Sequence, residues 1–479
     1  MHLRACLRLV ASLTLAVGTV LRAADFYVSE RGDDANSGTS VAQPFRTLQR
    51  ADSAVKPGDT VWVMAGTYRN DLRRPGGTSS LLTLTASGTP EAWITWRNYQ
   101  NDRPELIAQG CWNAINLRAS YLVIDGLTLT GNNDNVRQID AEVNAEIDVA
   151  KTMAAFAAAT AAKAAKTIDE SVAPDAKLSS KEIAKAVPAP RPKPVQAHAP
   201  DPRFNGNGIN VDCRSGPKFH HFVIRNCTVR KFGTVGISMI HTDYYTIEHC
   251  TIYENAWYSR YGGSGISQLR GLNFDDAPGY HNIIRGNRVW NNKCLVRCFN
   301  TDCFSDGNGI ILDSLVDYSG GVLVENNLCF NNGGAGIHVF KSSKARIDIV
   351  HNTLWRNQQM WSLYDLGCHS AVNVRFLNNI VCAERRKQVN GRPDPTIVYD
   401  YNVYYGSDQI PTKGKHDLVA DPKFILPSTD PARADFRLQA GSPAIDSAGL
   451  ELASKFDLAG IARNSGPAPD RGAYEFRRL

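Results

Sequence analysis

Three things are scarce in this chain of 479 residues. After residue 21 no apolar run is long enough to cross a bilayer, which argues against a helical span. Neither charge sign is in large excess: 53 Lys and Arg face 47 Asp and Glu, a net of +6. Arg4, Arg8 and Arg22 supply three of those charges, so the chain beyond residue 23 sits near +3. That is too weak a balance for a nucleic-acid partner, and no basic stripe interleaved with aromatics accompanies it. Cys294, Cys298 and Cys303 cluster in one loop without a Cys-x-x-Cys pair, which argues against zinc.

What is present begins with a leader. Basic residues precede the apolar stretch Leu9–Leu21, and Ala23-Ala24 follow, so residues 1–23 read as a signal peptide. The expected location is therefore secreted, extracellular or periplasmic. Export permits disulfides, and at least one bridge is expected among Cys294, Cys298 and Cys303.

The body of the chain repeats itself. Gly-Ile pairs open short apolar runs at Gly208, Gly236, Gly265, Gly309 and Gly336. A second run and its turn recur as FVIRNCTV, YTIEHCTI, NIIRGNRV, VLVENNLC, IDIVHNTL and VRFLNNIV. Aligned this way, Cys227, Cys250, Asn287, Asn327, Asn352 and Asn379 share a column, and Asn402 prolongs it. Each run is too short for a helix and is bounded by Gly or Asn, so each reads as a strand. Steps of about 25 residues imply a solenoid whose coils bury apolar faces only by stacking. The fold expected is all-β, a right-handed parallel β-helix.

The rest divides around that core. Residues 24–131 read as an N-terminal cap and first coils. A short helix from Thr47, with Leu48, Ala51 and Val55 on one face, is the plug. Residues 132–203 break the pattern: 11 of the 21 residues from Ala145 to Ala165 are alanine, and Pro188, Pro190, Pro192 and Pro194 alternate. This reads as an insert, helical or disordered. The core spans 204–405, and 406–479 form a last coil and a cap over the far end of the stack.

Stacked coils present side chains at steps of roughly 4.8 Å, comparable with the sugar spacing of a polymer. Five residues past Gly236, Gly265, Gly309 and Gly336 stand His241, Arg270, Ser314 and Lys341, with Asp212 and Asp313 one place earlier in their coils. Long loops nearby carry Trp257, Tyr258, Tyr261 and Tyr280, candidate substrate contacts. Asp275, Asp276, Asp302, Asp306 and Asp313 occupy adjacent coils and suit calcium, which takes six to eight oxygens.

The N-terminal phrases FYVS, NSGT, PFRT, PGDTV and GTY, the Gly-Ile and Asn columns, and a tail reading DPKF, DFRLQAGSPAIDSAG and DRGAYEF resemble exported right-handed β-helix proteins related to polysaccharide lyase family nine. The resemblance implies β-elimination on an acidic, uronate-containing polysaccharide, with a lysine as base and calcium held by aspartates beside it. Lys341 is the best match for that lysine. Calcium or Arg270 would neutralise the substrate carboxylate, and His241 is a second candidate base. A lysine in water keeps its proton to about pH 10.4, so a base at neutral pH needs nearby cations or burial. Two other readings stand beside this one: a hydrolase pairing Asp306 with Asp313, and a non-catalytic carbohydrate-binding protein. A monomer is expected.

Overall fold

Coils can stack closely only where the backbone leaves room. In a computed structural model of the chain, a Cβ added at Gly236 would sit 2.6 Å from the Gly265 carbonyl oxygen. One at Gly265 would sit 2.8 Å from that of Gly309, and one at Gly309 2.6 Å from that of Gly336. The repeated glycine is therefore a contact between neighbouring coils. The repeated isoleucine is the core: Ile209, Ile237, Ile266, Ile310 and Ile337 pair in register and are fully buried. The structure describes residues 23–70, 80–148, 195–299, 302–361, 363–384, 386–390, 394–463 and 466–477, with 150, 151, 153, 154, 157 and 158.

One coil runs through Asn207–Asp212, Phe222–Arg225 and Thr228–Arg230, then rises to Ile237–Thr242. Its strands enter three parallel sheets, which hold eight, eleven and eleven strands among the described residues. The molecule is a right-handed parallel β-helix with one continuous core. At its start the helix Leu48–Asp52, capped by Thr47, buries Leu48 and Ala51 as expected, but it ends before Val55, which is buried in the segment that follows.

Asparagine side chains tie the turns between the two eleven-stranded sheets. Asn287 Nδ2 donates to Asn327 Oδ1 at 2.9 Å, and Asn327, Asn352 and Asn379 each donate onward at 3.0 Å, to Asn402 at the last step. Asn402 closes the series on Asp417 at 3.2 Å. A second ladder runs in parallel at the next turn: Asn255, Asn292, Asn332 and Asn357, closing on Asp365. Its members stand five residues after Cys250, Asn287, Asn327 and Asn352, three places beyond the end of each aligned phrase.

Two expectations change. The tail does not simply cover the far end. It doubles back along the flank, where Gly472 N donates to Asn378 O at 2.7 Å, Ala473 N to Thr353 Oγ1 at 2.9 Å, and Arg463 Nη2 to Asn326 Oδ1 at 2.8 Å. The last rung, Leu418–Val419, keeps Val419 57% exposed. The expected disulfide is not formed: Cys294 is a buried thiol and Cys303 an exposed one. In the insert, residues 150, 151, 153, 154, 157 and 158 of the alanine-rich run are helical, and a further helix, Gln138–Ala145, precedes them and buries Ala141 and Ala145 against Phe204, Tyr258 and Val296. Most of that run, the alternating prolines and residues 1–22 lie outside the described residues.

Candidate functional site

The eight-stranded sheet carries the charged column. Its register aligns Asp212, Ile240, Leu269, Asp313, Phe340 and His369 across six coils. The next residue on each of the last five coils is His241, Arg270, Ser314, Lys341 or Ser370. All five adopt left-handed backbone, with φ of 52°, 57°, 55°, 55° and 52°. The conformation recurs at one station of each of these five coils, so it belongs to their coil geometry. Glycine or asparagine would adopt it most easily. Here the coils place His, Arg, Ser and Lys instead, aligned along one rim.

The electrostatics differ along this column. Arg270 and Lys341 are exposed, the latter with Nζ 4.8 Å from the Phe340 ring centroid. His241 is half-buried. Burial, then Lys218 and Arg270, pull its pKa below the ordinary value against the opposing pull of Asp212. It is therefore a neutral imidazole at pH 7, able to accept a proton. Asp313 is pushed up by burial, while the Ser314 hydroxyl (2.8 Å), Lys341 and Arg270 work the other way. Asp306 rises to about 6, chiefly through burial and partly through the charge on Asp313, against one hydrogen bond from Ser305.

The five aspartates do not assemble into a cation site. Asp275 accepts the Tyr244 hydroxyl at 2.6 Å beside the exposed Asp276, on the loop that follows the Arg270 strand. Asp302 pairs with Arg297 at 3.4 Å on a different loop. Asp306 precedes the strand Asn308–Leu315, and Asp313 lies near its other end. Among the described residues no three His, Cys, Asp or Glu side chains come together in a way that could hold a metal. Calcium needs six to eight oxygens. This donor set does not fit it.

Nor do the expected aromatic contacts gather. Tyr258 packs beneath the insert's helix, and Trp257, whose indole N–H donates to Asn291 O at 3.1 Å, packs beside it. Tyr280 turns away onto the first eleven-stranded sheet, where its hydroxyl donates to Asp348 at 2.5 Å. Tyr261, edge-on to Phe299 at 5.3 Å, stays just ahead of the strand Ser264–Gly271 of the eight-stranded sheet. Loop proximity in sequence could not distinguish these faces.

A different ring column was missed. Tyr121, His221, Tyr244 and His281 stack at centroid separations of 4.7, 4.5 and 4.1 Å on the turn that follows the cation rim. The signal was present: each stands immediately before or within the repeated second-strand phrase, as YLVI, HFVI, YYTI and HNII.

Comparison with known proteins agrees with this architecture. Residues 26–178 match the family described as Pel9A-like, right handed beta helix region, and residues 203–381 match the right handed beta helix region family. An uncharacterized protein, YwoF, of Bacillus subtilis (strain 168) is 36% identical over 88 residues, 18% of this chain; the chain spans 16% of that relative's length. The crystal structure of pectate lyase Pel9A superposes with a TM-score of 0.52 at 16% identity, covering 95% of this chain and 96% of that one. An alginate lyase from Paenibacillus sp. str. FPU-7 gives a TM-score of 0.45 at 16% identity, covering 78% and 96%. Identities this low speak to fold alone. The chain is a right-handed parallel β-helix protein, pectate-lyase-like in architecture.

Proposed function

We propose that this chain is an exported polysaccharide lyase that cleaves an acidic, uronate-containing polymer by β-elimination. One observation carries the reading: His241, Arg270 and Lys341 stand in register on one rim, at steps that match successive sugars. A uronate carboxylate on Arg270 is neutralised there, which makes the proton on the adjoining carbon easier to remove. His241, one coil away and neutral, takes that proton. The electron pair becomes the new double bond, and the glycosidic oxygen leaves from the next carbon and is protonated by water. Lys341, two coils away on the other side of Arg270, holds the carboxylate of a further sugar. These roles reverse the expectation that Lys341 is the base, because His241 is both nearer Arg270 and already unprotonated at pH 7.

Pectate, alginate and glycosaminoglycans are the substrates to screen, with ultraviolet absorbance of the unsaturated product as the readout. Turnover that His241→Ala and Arg270→Ala leave intact would remove this rim from the mechanism. The same screen separates the hydrolase reading, which the raised Asp306 carboxyl supports as a proton donor. That reading expects new reducing ends without ultraviolet absorbance.

A further inference from the structure

The turn after Arg270 is longer than its neighbours. Between Ile237–Thr242 and Tyr245 the chain needs only residues 243 and 244, but between Ser264–Gly271 and Tyr280 it takes residues 272–279. A surface loop of that length is ordinarily free to move. This one is pinned at four of its eight residues.

Asn273 Nδ2 donates to Asp317 O at 2.9 Å, and its Oδ1 accepts from Ser319 N at 2.9 Å. Phe274 N donates to Asp243 Oδ2 at 3.1 Å. Asp275 accepts from Tyr244, and the Ala277 carbonyl accepts from His281 Nε2 at 2.8 Å. The anchor is Asp243, a fully buried carboxylate that also accepts from the Tyr318 hydroxyl at 2.6 Å and from His281 Nδ1 at 3.0 Å. Burying a carboxylate is costly unless each oxygen is well bonded, and here the bonding is spent on positioning a loop.

What the loop presents is Phe274, 43% exposed. One face of its ring lies 3.9 Å, centroid to centroid, from His220, and its flanks meet His221 and Tyr244 edge-on at 5.3 and 6.0 Å. The ring is thus backed by other rings while much of it stays open to solvent. It stands four residues after Arg270, and its anchor stands two residues after His241. An apolar ring left exposed but rigidly held, next to a cation rim, matches the two sides of an acidic sugar: carbon–hydrogen face and carboxylate edge.

We propose that Phe274 is a sugar-stacking platform, against which a pyranose ring of the acidic polysaccharide lies while its neighbour's carboxylate meets Arg270. The assignment of the ligand as acidic rests on the function proposed above. Asp243 and His281 act through Phe274, as positioning residues.

The test is electrophoretic retardation of the full chain in gels containing pectate, alginate or chondroitin sulfate, run at low and at high salt. Phe274→Ala weakens retardation by about three- to tenfold, the change that one aromatic contact supports, and by the same factor at both salt concentrations. Arg270→Ala weakens it by a factor that shrinks as salt rises. Phe274→Trp, which keeps a flat ring, retains the wild-type affinity. Equal migration of wild type and Phe274→Ala overturns the platform, and so does a loss shared by Phe274→Ala and Phe274→Trp or a salt dependence like that of Arg270→Ala. Retardation that behaves as described in a protein yielding no unsaturated product overturns the lyase reading and leaves the platform standing. Absence of wild-type retardation on all three polymers overturns both.

Discussion

Arg270 and His241 divide the proposed chemistry, and their substitutions separate it. Arg270→Ala lowers kcat by about 10²–10³, as for removal of one group that stabilises developing negative charge. His241→Ala lowers kcat by about 10²–10⁴ with little change in KM, whereas Lys341→Ala raises KM several-fold and leaves most of kcat. Steady-state kinetics on the confirmed polymer distinguishes these, and a collapse of kcat in Lys341→Ala alone returns the base to Lys341. The backbone at Lys341 adds a second expectation. Its φ of 55° is left-handed, so Lys341→Gly relieves strain while losing the side chain. Stability in urea is unchanged or raised by up to about 1 kcal/mol as binding falls. These residues could be named from aligned phrases because a parallel coil repeats its outward stations at constant spacing. Asp275, Asp276 and Asp302 could not be placed that way, since they sit on turns whose path no repeat dictates.

The asparagine ladders are where the coils are fastened to one another, and both end on a carboxyl. Asn327 stands mid-ladder: its Oδ1 receives Asn287 N at 3.0 Å and Asn287 Nδ2, and its own Nδ2 reaches Ile284 O at 2.9 Å. Asn327→Ala leaves buried donors without acceptors and costs about 2–4 kcal/mol, readable as a drop in the urea midpoint. Asp365 closes the second ladder through Oδ1, while Oδ2 has no partner among the described residues. Burial pushes its carboxyl up to about 7 against hydrogen bonds from Asn357 and Gly336. In the unfolded chain that carboxyl releases its proton near pH 4. Between roughly pH 4 and pH 7 the folded state therefore holds the extra proton, and stability falls as pH rises through that window, then levels off. Asp365→Asn flattens this slope in denaturant titrations across pH. The first ladder and the cap helix were legible in the chain because both rest on local spacing. The second ladder was equally regular, five residues further on, but asparagine at a turn is common enough to pass as punctuation.

The C-terminal segment holds the flank of the solenoid through a buried ion pair, Arg463 with Glu475 at 3.2 Å, both almost without exposure. Arg463→Ala removes the positive charge opposite the buried Glu475 carboxyl and costs about 3–5 kcal/mol, lowering the thermal midpoint. A chelator is expected to leave turnover unchanged, since the aspartates do not converge on a cation site. Chelator-sensitive turnover restored by calcium would reinstate the metal. Repetition in the chain was enough to specify the helix, the sheet register, the core isoleucines and the rim of His241, Arg270 and Lys341. Each follows from stacking like on like, and stacking is a one-dimensional rule readable from spacing. Folding alone decided that Trp257 and Tyr258 anchor the insert, that Tyr280 turns to another face, that the tail clasps the side, and that Asp243 pins Phe274 beside the rim. Those contacts join loops of unequal length across coils, and no periodicity relates the residues that meet.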